Sequence, residues 1–139
     1  MEPVQSVAII GAGNMGSGIA QKTAQEEFDV QMVDREAKWV ERGKETIGNF
    51  LAEAVERRIF SPGQVEAIQG RITGVVGTEN VSPDTDLVIE AVFEDFDIKT
   101  AVFRTLDEVC NENTILASNT SSLSVNELAQ ATGLSLIHI

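Results

Sequence analysis

Near its N-terminus the chain reads Val7-Ala8-Ile9-Ile10-Gly11-Ala12-Gly13-Asn14-Met15-Gly16, and a second apolar run, Val30-Gln31-Met32-Val33, ends on the acid Asp34. Few local patterns constrain a fold so tightly. Four consecutive apolar residues fit a parallel strand covered on both faces. Ile19, Ala20, Thr23 and Ala24 then recur at helical spacing, with Gln21, Lys22 and Gln25 between them. The glycines that join strand to helix answer the needs of a diphosphate. Gly11 permits the tight turn, Gly13 leaves no side chain where the pyrophosphate passes, and Gly16 lets the helix lie close against the strand. Gly11, Ala12, Gly13, Asn14, Met15 and Gly16 are therefore the candidate phosphate loop, at a helix N-terminus whose unpaired N–H groups and positive dipole end attract anions. Asp34 follows about 20 residues on, as the dinucleotide fingerprint asks. A carboxylate there accepts both hydroxyls of an adenosine ribose and repels a 2′-phosphate, so NAD is expected rather than NADP, with Arg35 softening that preference. A glycine-rich turn without a ligand is the competing reading, and the agreement of strand, turn, helix and acid disfavours it.

The rest of the composition narrows the class. A length of 139 residues fits one domain with room for a core. Ten basic residues against twenty-two acidic ones give a net charge of −12, which disfavours nucleic acid or an anionic membrane as a partner. No apolar run approaches the roughly 20 residues that span a bilayer. The opening Met1-Glu2-Pro3 lacks the basic and apolar regions of a secretion signal, and a lone Cys110 fits a reducing, cytoplasmic setting. Cys110 reads as a structural thiol on a helix, and no metal-type ligand spacing occurs.

Beyond Asp34, Ile47, Phe50, Leu51, Ala54 and Val55 form an apolar stripe on a long helix, with Gly43 and Gly48 weakening it slightly. Ser61-Pro62 opens a short helix that stops near Gly70. Ile72 to Val76 is a strand, 81–84 a turn, and Leu87-Val88-Ile89-Glu90-Ala91-Val92 a buried strand. The following helix places Ile98, Val102, Leu106 and Val109 on one face and Lys99, Arg104, Asp107 and Glu108 on others. Thr114 to Asn119 is another strand, and Ser124 with Glu127 forms a capping box. Alternating strands and helices predict an α/β fold, a Rossmann-type doubly wound parallel sheet. Its ligand crevice lies at the carboxyl ends of the strands, where Gly11 to Gly16, Glu90 to Glu94 and Ser118 to Ser122 gather. Turn and cap chemistry explains the last cluster equally well.

The segments Gly11 to Ala20, Asp86 to Glu94 and Leu116-Ala-Ser-Asn-Thr-Ser121-Ser-Leu-Ser resemble the NAD-binding domain of 3-hydroxyacyl-CoA dehydrogenases, from about Val4 to Thr132. The resemblance implies NAD-dependent oxidation of (S)-3-hydroxyacyl-CoA to 3-oxoacyl-CoA in fatty-acid metabolism, with an acyl-CoA as substrate. It places Glu94 and Lys99 at the nicotinamide half of NAD, and Ser121 at the substrate's 3-oxygen as the catalytic residue. Arg58 falls where the family directs a basic residue at the CoA phosphates, although Arg57 and Arg58 equally suit a solvated helix end; for Lys99 an exposed helix face is the lesser alternative. The family also carries a helical C-terminal domain that supplies the homodimer contact and the far wall of the cleft, which is expected to be absent here.

One departure is large. The family's general base is a histidine followed by Phe-Phe-Asn-Pro, and removal of the hydroxyl proton requires such a base as hydride leaves. His138, the single histidine, comes a few residues too early and is followed only by Ile139. It is not that base. Leu134 to Ile139 is also a literal translation of CTG TCT CTT ATA CAC ATC, which resembles a transposon end used in sequencing adaptors. The expectation is a truncated NAD-binding domain over 1–133 and a non-native tail over 134–139, inactive alone. Another NAD-dependent hydroxyacid dehydrogenase and a non-catalytic dinucleotide-binding module remain the alternatives.

Overall fold

The computed structural model of the chain describes residues 3–119, 125–132 and 137–138. Strand β1 (Ser6–Ile10) passes through the glycine turn into α1 (Asn14–Gln25), and β2 (Asp29–Asp34) is followed by two helices, α2 (Ala37–Glu56) and α3 (Pro62–Gly70). Then come β3 (Ile72–Val76), a 3-10 turn at Thr78–Asn80, β4 (Leu87–Glu90), α4 (Phe96–Val109), β5 (Ile115–Ser118), α5 (Val125–Thr132) and β6 (Ile137–His138). Every pairing is parallel and the strand order is β3-β2-β1-β4-β5-β6. The chain thus runs outward from β1 in one direction, then returns to pair β4 on its other side. That reversal creates a crevice at the carboxyl ends of β1 and β4, and the doubly wound α/β sheet expected from the sequence is the fold observed.

The four-residue apolar run of β1 is buried on both sides. Val7 and Ile9 pack with Ala20, Ala24, Met32, Ile47, Leu51 and Ile68, while Ala8 and Ile10 pack with Val33, Val88, Phe103, Leu106 and Leu116. Alternation along the strand therefore serves two half-cores, with α1, α2 and α3 supplying one and α4 the other. Gly43 has a packing reason that its low helix propensity conceals. A Cβ there would lie 2.8 Å from the Ala12 carbonyl oxygen and 3.0 Å from the Met32 methyl, so its absence lets α2 approach the glycine turn. At the opposite end of the sheet the Asp86 carboxylate accepts the amides of Ser6 and Gln5, each at 2.9 Å. Those bonds, the Ser6 amide first, hold the carboxyl below its usual value.

Some side chains lie elsewhere than the periodicity suggested. On α2 the buried positions are Val40, Gly43, Ile47, Leu51 and Ala54, whereas Phe50 is 57 % exposed and Val55 half-buried. On α4 the buried face is Lys99, Thr100, Phe103 and Leu106, and Ile98 is 41 % exposed. The helix is rotated relative to the expected stripe, for a reason given below. The apolar run at 87–92 is strand only to Glu90, and that at 114–119 only from Ile115 to Ser118. Ser61 caps α3 reciprocally with Gln64, as the Ser-Pro start suggested. The Ser124 half of the second capping box lies outside the described residues. Ile137 and His138 pair with Ala117 and Ser118, an edge pairing not anticipated for the tail, where the open hydrogen-bonding row of β5 accepts a short strand. Burial pushes the half-buried Cys110 thiol up, in keeping with a structural rather than nucleophilic thiol. Among the described residues no helix is long and apolar enough to cross a membrane.

Candidate functional site

The glycine turn is built by tight backbone bonds between neighbouring strand ends. The Gly11 amide donates to the Val33 carbonyl at 2.7 Å, and Ala91 N–H donates to the Ile10 carbonyl at 2.8 Å. Gly11 adopts φ +114°, a left-handed conformation reserved for glycine, and a Cβ there would lie 2.6 Å from the Ala91 oxygen. A Cβ at Gly16 would overlap the Gly11 carbonyl, so the close approach of helix to strand depends on that glycine. Gly13 differs from both. Its φ of −73° and ψ of −167° suit any residue, and a Cβ there would meet no protein atom within 4 Å. Neither packing nor backbone conformation demands glycine at 13, so the loop leaves open space there for the close approach of a ligand. Gly13 is also the N-cap of α1 and offers no side-chain cap, and the first turn carries no acid, so the leading amides of α1 are available to an anion.

These three glycines respond differently to one added methyl. Gly16→Ala is expected to destabilise the chain by about 1–3 kcal/mol through overpacking against backbone, seen as a lower thermal midpoint. Gly13→Ala should fold with stability within about 1 kcal/mol of the parent and bind NADH at least about tenfold more weakly, since backbone approach to the diphosphate is lost. Fluorescence titration of NADH separates the two, and unchanged affinity in Gly13→Ala would remove the cradle.

Asp34 closes the other side of this loop. Its Oδ2 accepts the Ala12 amide at 2.9 Å and its Oδ1 the Arg35 amide at 2.7 Å, so the acid expected to hold a ribose is locked to the phosphate loop 22 residues earlier. A carboxylate has about four acceptor sites, and the remaining ones border a crevice of about 680 Å³. That volume lies within the roughly 300–1,000 Å³ usual for small-molecule sites. Gly11 to Asn14 and Asp34 line it on one side, and Val92, Phe93, Ile98 and Val102 on the other. Trp39 and Arg42 also line it, the guanidinium carbon 5.0 Å from the indole centroid. The sequence reading missed this apolar wall and the Trp39–Arg42 pair. Ile98 carried a signal, since it belongs to the α4 stripe and yet points into the crevice. Met15 is 63 % exposed beside the loop and lines no part of the crevice.

A buried polar cluster lies at the same end of the sheet. Lys99, read from the sequence as lying off the apolar stripe of α4, is 1 % exposed, with its ammonium 2.5 Å from Glu90 Oε2 and 3.4 Å from Glu94 Oε1. Glu90, fully buried, accepts the Ser118 hydroxyl at 2.6 Å through Oε1 and the Val92 amide at 2.8 Å through Oε2. The register that sets Ile10 beside Glu90, and Glu90 beside Ser118, brings these groups to the strand ends that carry the glycine loop. Glu94 and Lys99 are therefore held together. Ser121 lies outside the described residues. Arg58 is exposed at a left-handed position (φ 58°) just past α2 and lines neither the crevice nor the groove of about 550 Å³ between α1 and α2. It is Arg57, paired with Glu53, that borders that groove with Phe50, Ile59 and Phe60.

Known proteins resemble this chain in sequence and fold. The family model described as "3-hydroxyacyl-CoA dehydrogenase, NAD binding domain" matches residues 6–135. A probable 3-hydroxybutyryl-CoA dehydrogenase of Bacillus subtilis is 39 % identical over 129 residues, covering 93 % of this chain and 45 % of the relative. The peroxisomal bifunctional enzyme of Danio rerio is also 39 % identical over 129 residues, which are 17 % of its length. The crystal structure of (S)-3-hydroxybutyryl-CoA dehydrogenase from Ralstonia eutropha superposes with a TM-score of 0.88 at 35 % identity, over 94 % of this chain and 46 % of that one. The chain thus spans less than half the length of these relatives.

Proposed function

The chain belongs to the family of 3-hydroxyacyl-CoA dehydrogenase NAD-binding domains, and from that premise we propose that it is the cofactor-binding part of an enzyme oxidising (S)-3-hydroxyacyl-CoA to 3-oxoacyl-CoA in fatty-acid metabolism. The observation that carries the proposal is the locking of Asp34 to the Ala12 amide across a loop whose Gly13 is bare for no internal reason. NAD, when bound, supplies the hydride acceptor. The chain's own residues do the holding: Gly11 to Gly16 take the diphosphate, Asp34 the adenosine ribose, and Glu94 with Lys99 the nicotinamide half. Ser121 donates a hydrogen bond to the substrate's 3-oxygen. The general base and the dimer contact are assigned to the portion of the relatives that this chain does not span. Arg58, or its neighbour Arg57, faces the CoA phosphates. Residues 1–133 form the domain and 134–139 a non-native tail in this reading, which the encoding DNA tests; the family match itself runs to 135. The single cysteine and the bacterial relatives favour a cytoplasmic setting.

Titration of NADH fluorescence with this chain tests the cofactor reading. A chain extended through the relatives' C-terminal half should oxidise NADH when given acetoacetyl-CoA. Ser121→Ala in that longer chain is expected to lower kcat by about 100-fold or more, as for loss of one oxyanion donor, with NADH affinity nearly intact. Use of a free hydroxyacid in place of acetoacetyl-CoA would count against the substrate class, and loss of folding in Ser121→Ala would make the serine a cap.

A further inference from the structure

Glu90 stands out among the buried groups. It ends an otherwise apolar strand, is fully buried, and has no place in the roles assigned above. Taking a carboxylate and an ammonium out of water is unfavourable by several kcal/mol per ion unless every proton and lone pair is matched. Here the matching is close to complete. Three segments donate to the Glu90 carboxylate: Ser118 from the end of β5, the Val92 amide from the loop after β4, and Lys99 from α4. The Glu90 carbonyl also accepts the Asn119 amide at 2.9 Å. Lys99 in turn faces three acceptor oxygens: it donates to Glu90 Oε2 at 2.5 Å and to the Val92 carbonyl at 3.4 Å, and forms an ion pair with Glu94 Oε1 at 3.4 Å.

Two of those acceptors are fixed by the fold, the buried Glu90 and the Val92 carbonyl. The third belongs to Glu94, whose side chain is 31 % exposed and whose contact is among the longer ones. A ribose hydroxyl or carboxamide oxygen can therefore accept a hydrogen bond from Lys99 by displacing Glu94, and not by displacing Glu90. We infer that Glu90 is a positioning residue for the nicotinamide half of the cofactor. From the end of β4 it holds the Lys99 ammonium in place and ties it to the β5 end that leads into Ser121. Glu94 is the partner exchanged when the dinucleotide binds. The inference rests on the NAD reading above and deepens it.

The two halves of the cofactor separate this role from a merely structural one. AMP occupies only the adenosine side, by Asp34 and the glycine loop, whereas NADH reaches Lys99. Glu90→Gln keeps the shape of the side chain and removes its charge. It is expected to weaken NADH by roughly tenfold, the scale of losing one charge-assisted hydrogen bond, while leaving AMP affinity within about twofold. Ser118→Ala removes one donor and leaves the ion pair. It should fold even where Glu90→Gln does not, and should show the same selective loss at a smaller scale of about threefold. A general loosening of the crevice would weaken AMP and NADH alike, and that result in the folded variants overturns the positioning role, as does unchanged NADH affinity in both. If the unsubstituted chain binds neither AMP nor NADH, the cofactor reading itself fails, which is a distinct outcome.

Discussion

Lys99→Met is expected to remove about 3–5 kcal/mol of folding stability, the loss seen when one member of a buried ion pair is deleted. The ammonium is 1 % exposed and lies 2.5 Å from a Glu90 carboxylate that is itself fully buried. Methionine fills nearly the same volume, so cavity formation contributes little. What remains is a carboxylate held only by the Ser118 hydroxyl and the Val92 amide, with its charge uncompensated in a low-dielectric site. Against a total of about 5–15 kcal/mol for an ordinary domain, the variant is near the edge of folding. Urea unfolding measures the loss. The double variant Lys99→Met with Glu90→Gln should recover most of it, because a matched buried pair roughly breaks even against neutral groups of similar shape. A loss below about 1 kcal/mol in the single variant would mean the pair behaves like an exposed one.

That pair also explains why part of the site was legible in the sequence and part was not. The glycine loop and Asp34 were readable because each demand on them is local. Gly11 needs a left-handed turn, Gly16 a close helix, and Asp34 the end of the adjacent strand, all within one strand-helix-strand unit. Lys99 and Glu90 were read differently because their partnership is set by the packing of α4 on β4. Periodicity placed Ile98, Val102, Leu106 and Val109 on the buried face; Leu106 is buried as expected, but with the ion pair the buried face takes in Lys99, Thr100 and Phe103 and leaves Ile98 out. Ile98 is thereby moved to the crevice wall, where it adds to the apolar surface of Val92, Phe93 and Val102. The signal was present as an acid ending a strand of apolar residues with a lysine nine positions on. It has meaning only once strand and helix are known to touch. Phe50 failed for a related reason, because an amphipathic stripe also appears where a helix borders an open groove. Ser121 and the role of Arg58 came from resemblance alone, and geometry adds only that Arg57 is the nearer of the two arginines to that groove.

Asp34→Ala should show the largest effect on ligand binding, and its diagnostic is a ratio. Removing the carboxylate proposed to accept ribose hydroxyls forfeits charge-assisted hydrogen bonds of about 1.5–3 kcal/mol, or roughly 10- to 150-fold in NADH affinity. The same substitution also releases the Ala12 and Arg35 amides, loosening the phosphate loop. That second effect falls on NADH and NADPH equally, because both carry the same diphosphate. The first does not, because a 2′-phosphate gains from the loss of a nearby negative charge, and Arg35 and Arg42 border the crevice beside position 34. NADH affinity is therefore expected to fall by about 10-fold or more relative to NADPH, measured by parallel fluorescence titrations. Asp34→Asn retains an acceptor for one backbone amide and should reproduce the change in ratio with less damage to the loop. An equal loss for the two cofactors in both variants would leave Asp34 as a brace for the glycine turn, with the ribose held elsewhere.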